Sequence, residues 1–141
     1  MTDWSRYSLQ ELRAHEITRY RRAQGSRPDV MLVEIAGERA VLKDFSHSDA
    51  GFRHIVGPLL VHREVRSLRR LDGVAGIPQL IHQVNASAFL LQAIDATPAS
   101  QLRNCGYPES FYDRMAQLLD RMHERGVEYG RLVDVKMLDG E

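Results

Sequence analysis

The sequence is poor in several things at once, and each shortage excludes something. It has one cysteine, Cys105, which rules out an internal disulfide and a cysteine-rich zinc site. It has no excess of either charge: 19 basic residues face 19 acidic ones, so no net field draws it to nucleic acid or an anionic membrane as its main partner. No apolar run approaches the ~18 residues of a membrane span. The opening residues, Met1-Thr2-Asp3-Trp4-Ser5-Arg6, lead into polar sequence unlike a signal peptide. The expected setting is reducing and cytoplasmic. What is present is ordinary globular material: 141 residues, 43% hydrophobic and 27% charged, enough for one domain or two very small ones and against wholesale disorder.

Lysine is the most informative scarcity. Of the 19 basic residues 17 are arginine, and the two lysines are Lys43 and Lys136. A chain that uses arginine so freely keeps Lys43 inside an apolar strand pattern, where a compact ammonium does what a guanidinium does not. Codon bias plus chance is the plain alternative.

No internal repeat or low-complexity tract interrupts the chain. Ser8 and Glu11 form a capping-box pattern that opens a short helix over 8–15. Residues 16–22 suit a strand. Residues 30–35 and 40–45 read as two strands joined by a tight turn at Ala36-Gly37-Glu38-Arg39, an antiparallel hairpin. Apolar residues recur at helical spacing over 51–71; Gly57-Pro58 should restart the helix, placing its main part at 58–71. Two further strands are expected at 77–84 and 88–94, a short helix at 97–102, and an amphipathic helix at 108–125 that ends at Gly126. Strand, hairpin, helix, two strands, helix is an α+β order.

Lys43 sits on the second strand of the hairpin and Glu64 on the next helix, 21 residues later. A helix packed on the sheet can aim Glu64 back at Lys43, and an ammonium held between a carboxylate and a polyphosphate is both placed and charged. The plain alternative is a surface lysine and a solvated helix glutamate.

The surrounding motifs resemble the N-terminal lobe of the protein kinase-like superfamily, in the style of compact bacterial kinases including the lipopolysaccharide-kinase type. Ala40-Val41-Leu42-Lys43 resembles the V-A-I-K motif of strand three, and Glu64 in His62-Arg63-Glu64-Val65-Arg66 matches the helix-C glutamate. Gly76-Ile77-Pro78-Gln79-Leu80 resembles the opening of strand four, and Phe89-Leu90-Leu91-Gln92-Ala93-Ile94-Asp95 resembles strand five entering the hinge. Leu118 to Val127 resembles the helix before the catalytic loop.

The resemblance implies a small lobe with a five-stranded antiparallel sheet and one packed helix over 1–95, followed by the start of a helical lobe over 96–141. It implies ATP as cofactor, with Lys43 on the phosphates, Glu64 orienting it, Leu91 as gatekeeper, and the backbones of Gln92 and Ile94 on the adenine. The implied activity is ATP-dependent phosphotransfer, of a serine/threonine protein kinase or small-molecule kinase type.

Departures from the family pattern are as informative. Only Gly25, in Gln24-Gly25-Ser26-Arg27, stands where a Gly-rich phosphate loop is expected. Arg131 occupies the position of the general-base aspartate and Lys136 that of the metal-binding asparagine, and no Asp-Phe-Gly follows. No metal site is therefore expected, and a guanidinium cannot accept the substrate proton. The chain is expected to be an inactive or incomplete phosphotransferase, truncated or frame-disrupted, or else a non-catalytic pseudokinase that binds nucleotide or protein.

Other residues carry less. The six histidines lie on separate elements apart from His54 and His62, and scattered histidines are the simpler reading. Arg63, Arg66, Arg69 and Arg70 form a helix face that could attract phosphate or simply be solvated. Cys105 reads as an incidental thiol. A homodimer or protein partner through an exposed surface of the 108–125 helix is a further expectation.

Overall fold

The computed structural model describes residues 1–49, 52–94 and 109–127. A single turn of 3₁₀ helix at Trp4–Arg6 comes first, capped by Asp3, whose carboxylate accepts from the Ser5 amide. No periodicity marks this turn, yet it buries Trp4. Helix α1 (Leu9–Ala14) opens on the expected capping box, with Ser8 and Glu11 bonding reciprocally.

Strands β1 (Glu16–Arg21), β2 (Asp29–Ile35), β3 (Glu38–Asp44), β4 (Leu80–Asn85) and β5 (Ala88–Gln92) form one antiparallel sheet in the order β1-β2-β3-β5-β4. The β2–β3 hairpin turns on Ala36 and Gly37, both at positive φ (53° and 79°), as a two-residue turn that follows the strands' twist requires. Glycine accepts that conformation freely; Ala36 does so at a steric cost.

The three central strands alternate between two buried faces. Met31, Val33 and Ile35 of β2, Ala40 and Leu42 of β3, and Ala88 and Leu90 of β5 share one core with Trp4 and Leu12. Val30, Val41, Phe89 and Leu91 are buried on the other face. The outer strands β1 and β4 are half-exposed and carry register irregularities, the usual means of keeping a sheet edge from pairing further.

Helix α2 (Gly57–Arg70) follows a π-helical turn at Phe52–Val56. The expected restart at Gly57-Pro58 is seen, because proline is tolerated in a first turn whose amides have no intrahelical partner. β4 begins at Leu80, three residues later than expected. The residues before it form a hydrogen-bonded turn, in which the Gln79 side chain accepts from the Gly73 amide and donates to the Ile77 carbonyl. β5 ends at Gln92, two residues early. The expected 97–102 helix lies outside the described residues.

The chain divides into two compact units, one of Met1–Arg66 and Leu80–Ala93, the other containing Ser67–Gln79 and the described C-terminal residues. In the second, helix α3 (Glu109–Glu124) buries Leu118 and Met122 and leaves Phe111, Met115 and Leu119 half-buried. It ends as expected. Gly126 is left-handed at φ 75°, its amide reaches the His123 carbonyl at 2.9 Å, and the Val127 amide reaches that of Met122 at 2.9 Å. Met122 and Val127 are both buried, completing the apolar contact of that cap.

Candidate functional site

Strand alternation decides what the end of β3 does. Lys43 and Asp44 are consecutive, so their side chains leave opposite faces of the sheet. Each enters a buried charged cluster within the first compact unit.

On one face, the Lys43 ammonium donates to Glu64 Oε1 of α2 at 2.6 Å. The side chains are 3% and 9% exposed, so this is a buried ion pair rather than a surface one. Lys43 stands opposite Val30 of β2 and Phe89 of β5, and its Nζ lies 5.8 Å from the centre of the Phe89 ring. Breaking a buried pair of this kind by removing one partner costs about 3–5 kcal/mol. The pairing expected between these two residues is therefore present, and it gives Lys43 one fixed position at the end of a rigid strand.

On the other face, Asp44 is fully buried and accepts from Arg13 Nη1 of α1 at 2.6 Å and from the Ser46 amide at 2.8 Å. Its hairpin partner Asp29 accepts from Arg13 at 3.1 Å, Arg19 at 3.0 Å and the Ala23 amide at 2.7 Å. Arg19 also chelates Glu16. Burial pushes the Asp29 carboxyl up, but the Ala23 amide, the Arg13 hydrogen bond and the charges of both guanidinium groups outweigh it and hold the group below the usual carboxylate range. The hydrogen bond from Arg19 lowers Glu16 in the same way.

Sequence reasoning missed this network. Its signal was available in the hairpin register: with a turn at Ala36-Gly37, Asp29 and Asp44 face each other, and two opposed buried carboxylates demand a cation between them. Asp29, Asp44 and His47 bring ligand atoms within 4.8 Å of one another, the one such group among the described residues. It does not suit a metal ion. The two carboxylates already serve two arginines and two backbone amides, and the arginines supply the positive charge a metal would bring.

The remaining expected site residues are placed as follows. Gly25 lies in the β1–β2 turn at φ 57°, with its carbonyl accepting from the Asp49 amide at 3.1 Å. A Cβ there would meet nothing within 4 Å, so the backbone conformation, not crowding, favours glycine. Gln92 ends β5 opposite Ala40, with an exposed side chain, and Leu91 is buried opposite Val41. Ile94 is half-buried and belongs to the second unit. Arg131, Lys136 and Cys105 lie outside the described residues. No helix among the described residues is long and apolar enough to cross a membrane.

No family model matches the sequence, and no curated protein matches it. Among solved structures the chain is similar to that of the Rio2 kinase from Chaetomium thermophilum, solved as an ADP/Mg²⁺-phosphoaspartate complex, with a TM-score of 0.57 and 20% identity. The match covers 77% of this chain and 37% of that one, so the chain spans little more than a third of the kinase's length. The fold, an α+β five-stranded antiparallel sheet with a packed helix, is that of a kinase-like small lobe.

Proposed function

We propose, from a fold shared with a kinase, that this chain binds an adenine nucleotide against its sheet and that its own residues do not complete phosphoryl transfer. The buried Lys43–Glu64 pair carries this reading: Glu64 holds one ammonium at the end of β3, as a phosphate contact requires. The similar kinase was solved with ADP and Mg²⁺, which supports the ligand class. Lys43 would meet the phosphates, Glu64 would orient Lys43, and the backbone at Gln92 would meet the adenine.

The residues fit the nucleotide better than they fit the metal. The described cluster of carboxylates is neutralised by Arg13 and Arg19, and the sequence has Lys136 where a metal-binding asparagine is expected. Arg131 stands at the base position and carries a permanent positive charge, so it cannot take the acceptor's proton; general-base catalysis typically contributes ~10²–10⁴-fold. These two residues favour the non-catalytic reading for this polypeptide over an active phosphotransferase.

Thermal unfolding with and without ATP or ADP tests the reading. Nucleotide at 100 times its dissociation constant should stabilise the fold by about 2.7 kcal/mol, a clear upward shift of the midpoint. The shift should vanish in Lys43→Met/Glu64→Leu, which removes both charges together and so guards against a variant that merely unfolds. No shift at saturating nucleotide in the unmodified chain would sink the proposal and leave a protein-binding module.

A further inference from the structure

The chain is neutral as a whole but not locally. Helix α2 turns Val61, Glu64, Val65 and Leu68 inward and exposes Leu59, Arg63, Arg66 and Arg70, spaced four, three and four residues apart along one stripe. His62 and Arg69 flank that stripe. Glu64 is the one acidic residue of α2, and it is buried against Lys43, so the exposed face is basic throughout. Among the described residues, Arg63, Arg66 and Arg69 form no ion pair.

Helix α3 carries the opposite pattern. Glu109, Asp113, Asp120 and Glu124 are exposed and fall on one stripe, spaced four, seven and four residues apart. Arg114 and Arg121 each follow an aspartate by one residue and so turn about 100° away from the acidic line. These four carboxylates also form no ion pair among the described residues. The basic stripe begins with exposed apolar groups, Ile55 and Leu59, at 76% and 50% exposure.

We propose that these stripes are two halves of one interface, the basic face of α2 on one copy of the chain docking on the acidic face of α3 of a second copy. The spacing supports the match: Arg63 and Arg70 are seven residues apart, and so are Asp113 and Asp120, so with Arg63 against Asp113 both arginines meet carboxylates of the facing stripe. A partner of any other kind would have to bring its own acidic helix face with this spacing; a second copy already has it. Exposed ion pairs are individually weak and screened by salt, so the association is concentration-dependent and salt-sensitive.

Sedimentation equilibrium of the full chain tests the interface. At about 100 µM protein and ~20 mM salt the average mass should rise well above 16.1 kDa, returning to the single-chain value in ~0.5 M salt. Arg63→Glu/Arg66→Glu and Asp113→Lys/Asp120→Lys should each be monomeric alone and should associate one-to-one when mixed, with unchanged circular dichroism. A chain that stays monomeric at low salt overturns the proposal without recourse to any variant. A dimer indifferent to both charge reversals also overturns it, placing the contact elsewhere. So does a monomer that binds vesicles of anionic lipid through Arg63 and Arg66, which would assign the basic face to a membrane surface.

Discussion

Lys43 and Asp44 are neighbours in sequence, both buried and both paired with opposite charge, yet the clusters they enter differ in kind. Asp44 belongs to a network in which two aspartates and a glutamate share two arginines, with backbone amides taking further carboxylate oxygens. Lys43 pairs, among the described residues, with the Glu64 carboxylate and has an aromatic ring beside it. A network of that density ties the sheet to α1 and β1, and both of its arginines are already engaged by carboxylates. A pair built on one short bond from a helix carboxylate positions a single cation at the end of a strand, the arrangement the proposed phosphate contact needs. The first is architecture; the second is where binding is to be sought.

The difference can be tested by breaking each cluster. The largest effect is expected at the pair. Lys43→Met should destabilise the fold by about 3–5 kcal/mol, because Glu64 is left buried and uncompensated, while Lys43→Met/Glu64→Leu should recover most of the loss. Denaturant midpoints of the two singles and the double decide this; a double as unstable as the worse single would show that the two residues do not act as a pair.

The network should instead declare itself in acid. The folded state holds Asp29 and Glu16 below their ordinary range, so their stabilisation is complete above the unfolded-state value. It is lost as pH falls from about 5 through the ordinary carboxylate range toward the lower folded value. Unfolding free energies measured from pH 7 to 3 should fall less steeply for Asp29→Asn than for the unmodified chain. The decline will not vanish, because Asp3, Glu11 and Glu38 are lowered as well and remain. Parallel curves would mean that Asp29 is not part of the acid response.

The smallest effect concerns the turn that puts both clusters in register. Ala36 adopts a left-handed backbone at φ 53°, for which asparagine is better suited. Ala36→Asn should raise stability by about 0.5–1 kcal/mol, seen as a higher midpoint with an unchanged denaturant slope.

Why one cluster was legible in the sequence and the other was not follows from chain geometry. Lys43 stands out as a lone lysine in an apolar strand, and Glu64 falls on the next amphipathic helix, so two local patterns suffice to pair them. Arg13 and Arg19 are two arginines among 17, one on a short helix and one on an edge strand. Nothing local separates them from solvated arginines, and only the hairpin register brings Asp29 against Asp44 and creates the need for them. The strands and helices themselves were legible wherever periodicity or capping chemistry set them: the capping box at Ser8, the C-terminal cap at Gly126, and the hairpin turn, although Glu38 and Arg39, expected in that turn, already pair with Ile35 and Glu34 as the start of β3. The start of β4 was not, because the Gln79 side chain bonds the Ile77 carbonyl, a backbone group that the apolar pattern assigned to a strand.

The alternation at Lys43-Asp44 also bears on how the chain finds its fold. A hairpin mispaired by one residue would turn every side chain of β3 to the wrong face. Asp44 would then confront Glu64, and Lys43 would confront Arg13 and Arg19: two encounters of like charge in buried surroundings, arising together from a single slip. The two clusters thus proofread the strand pairing on which each of them depends.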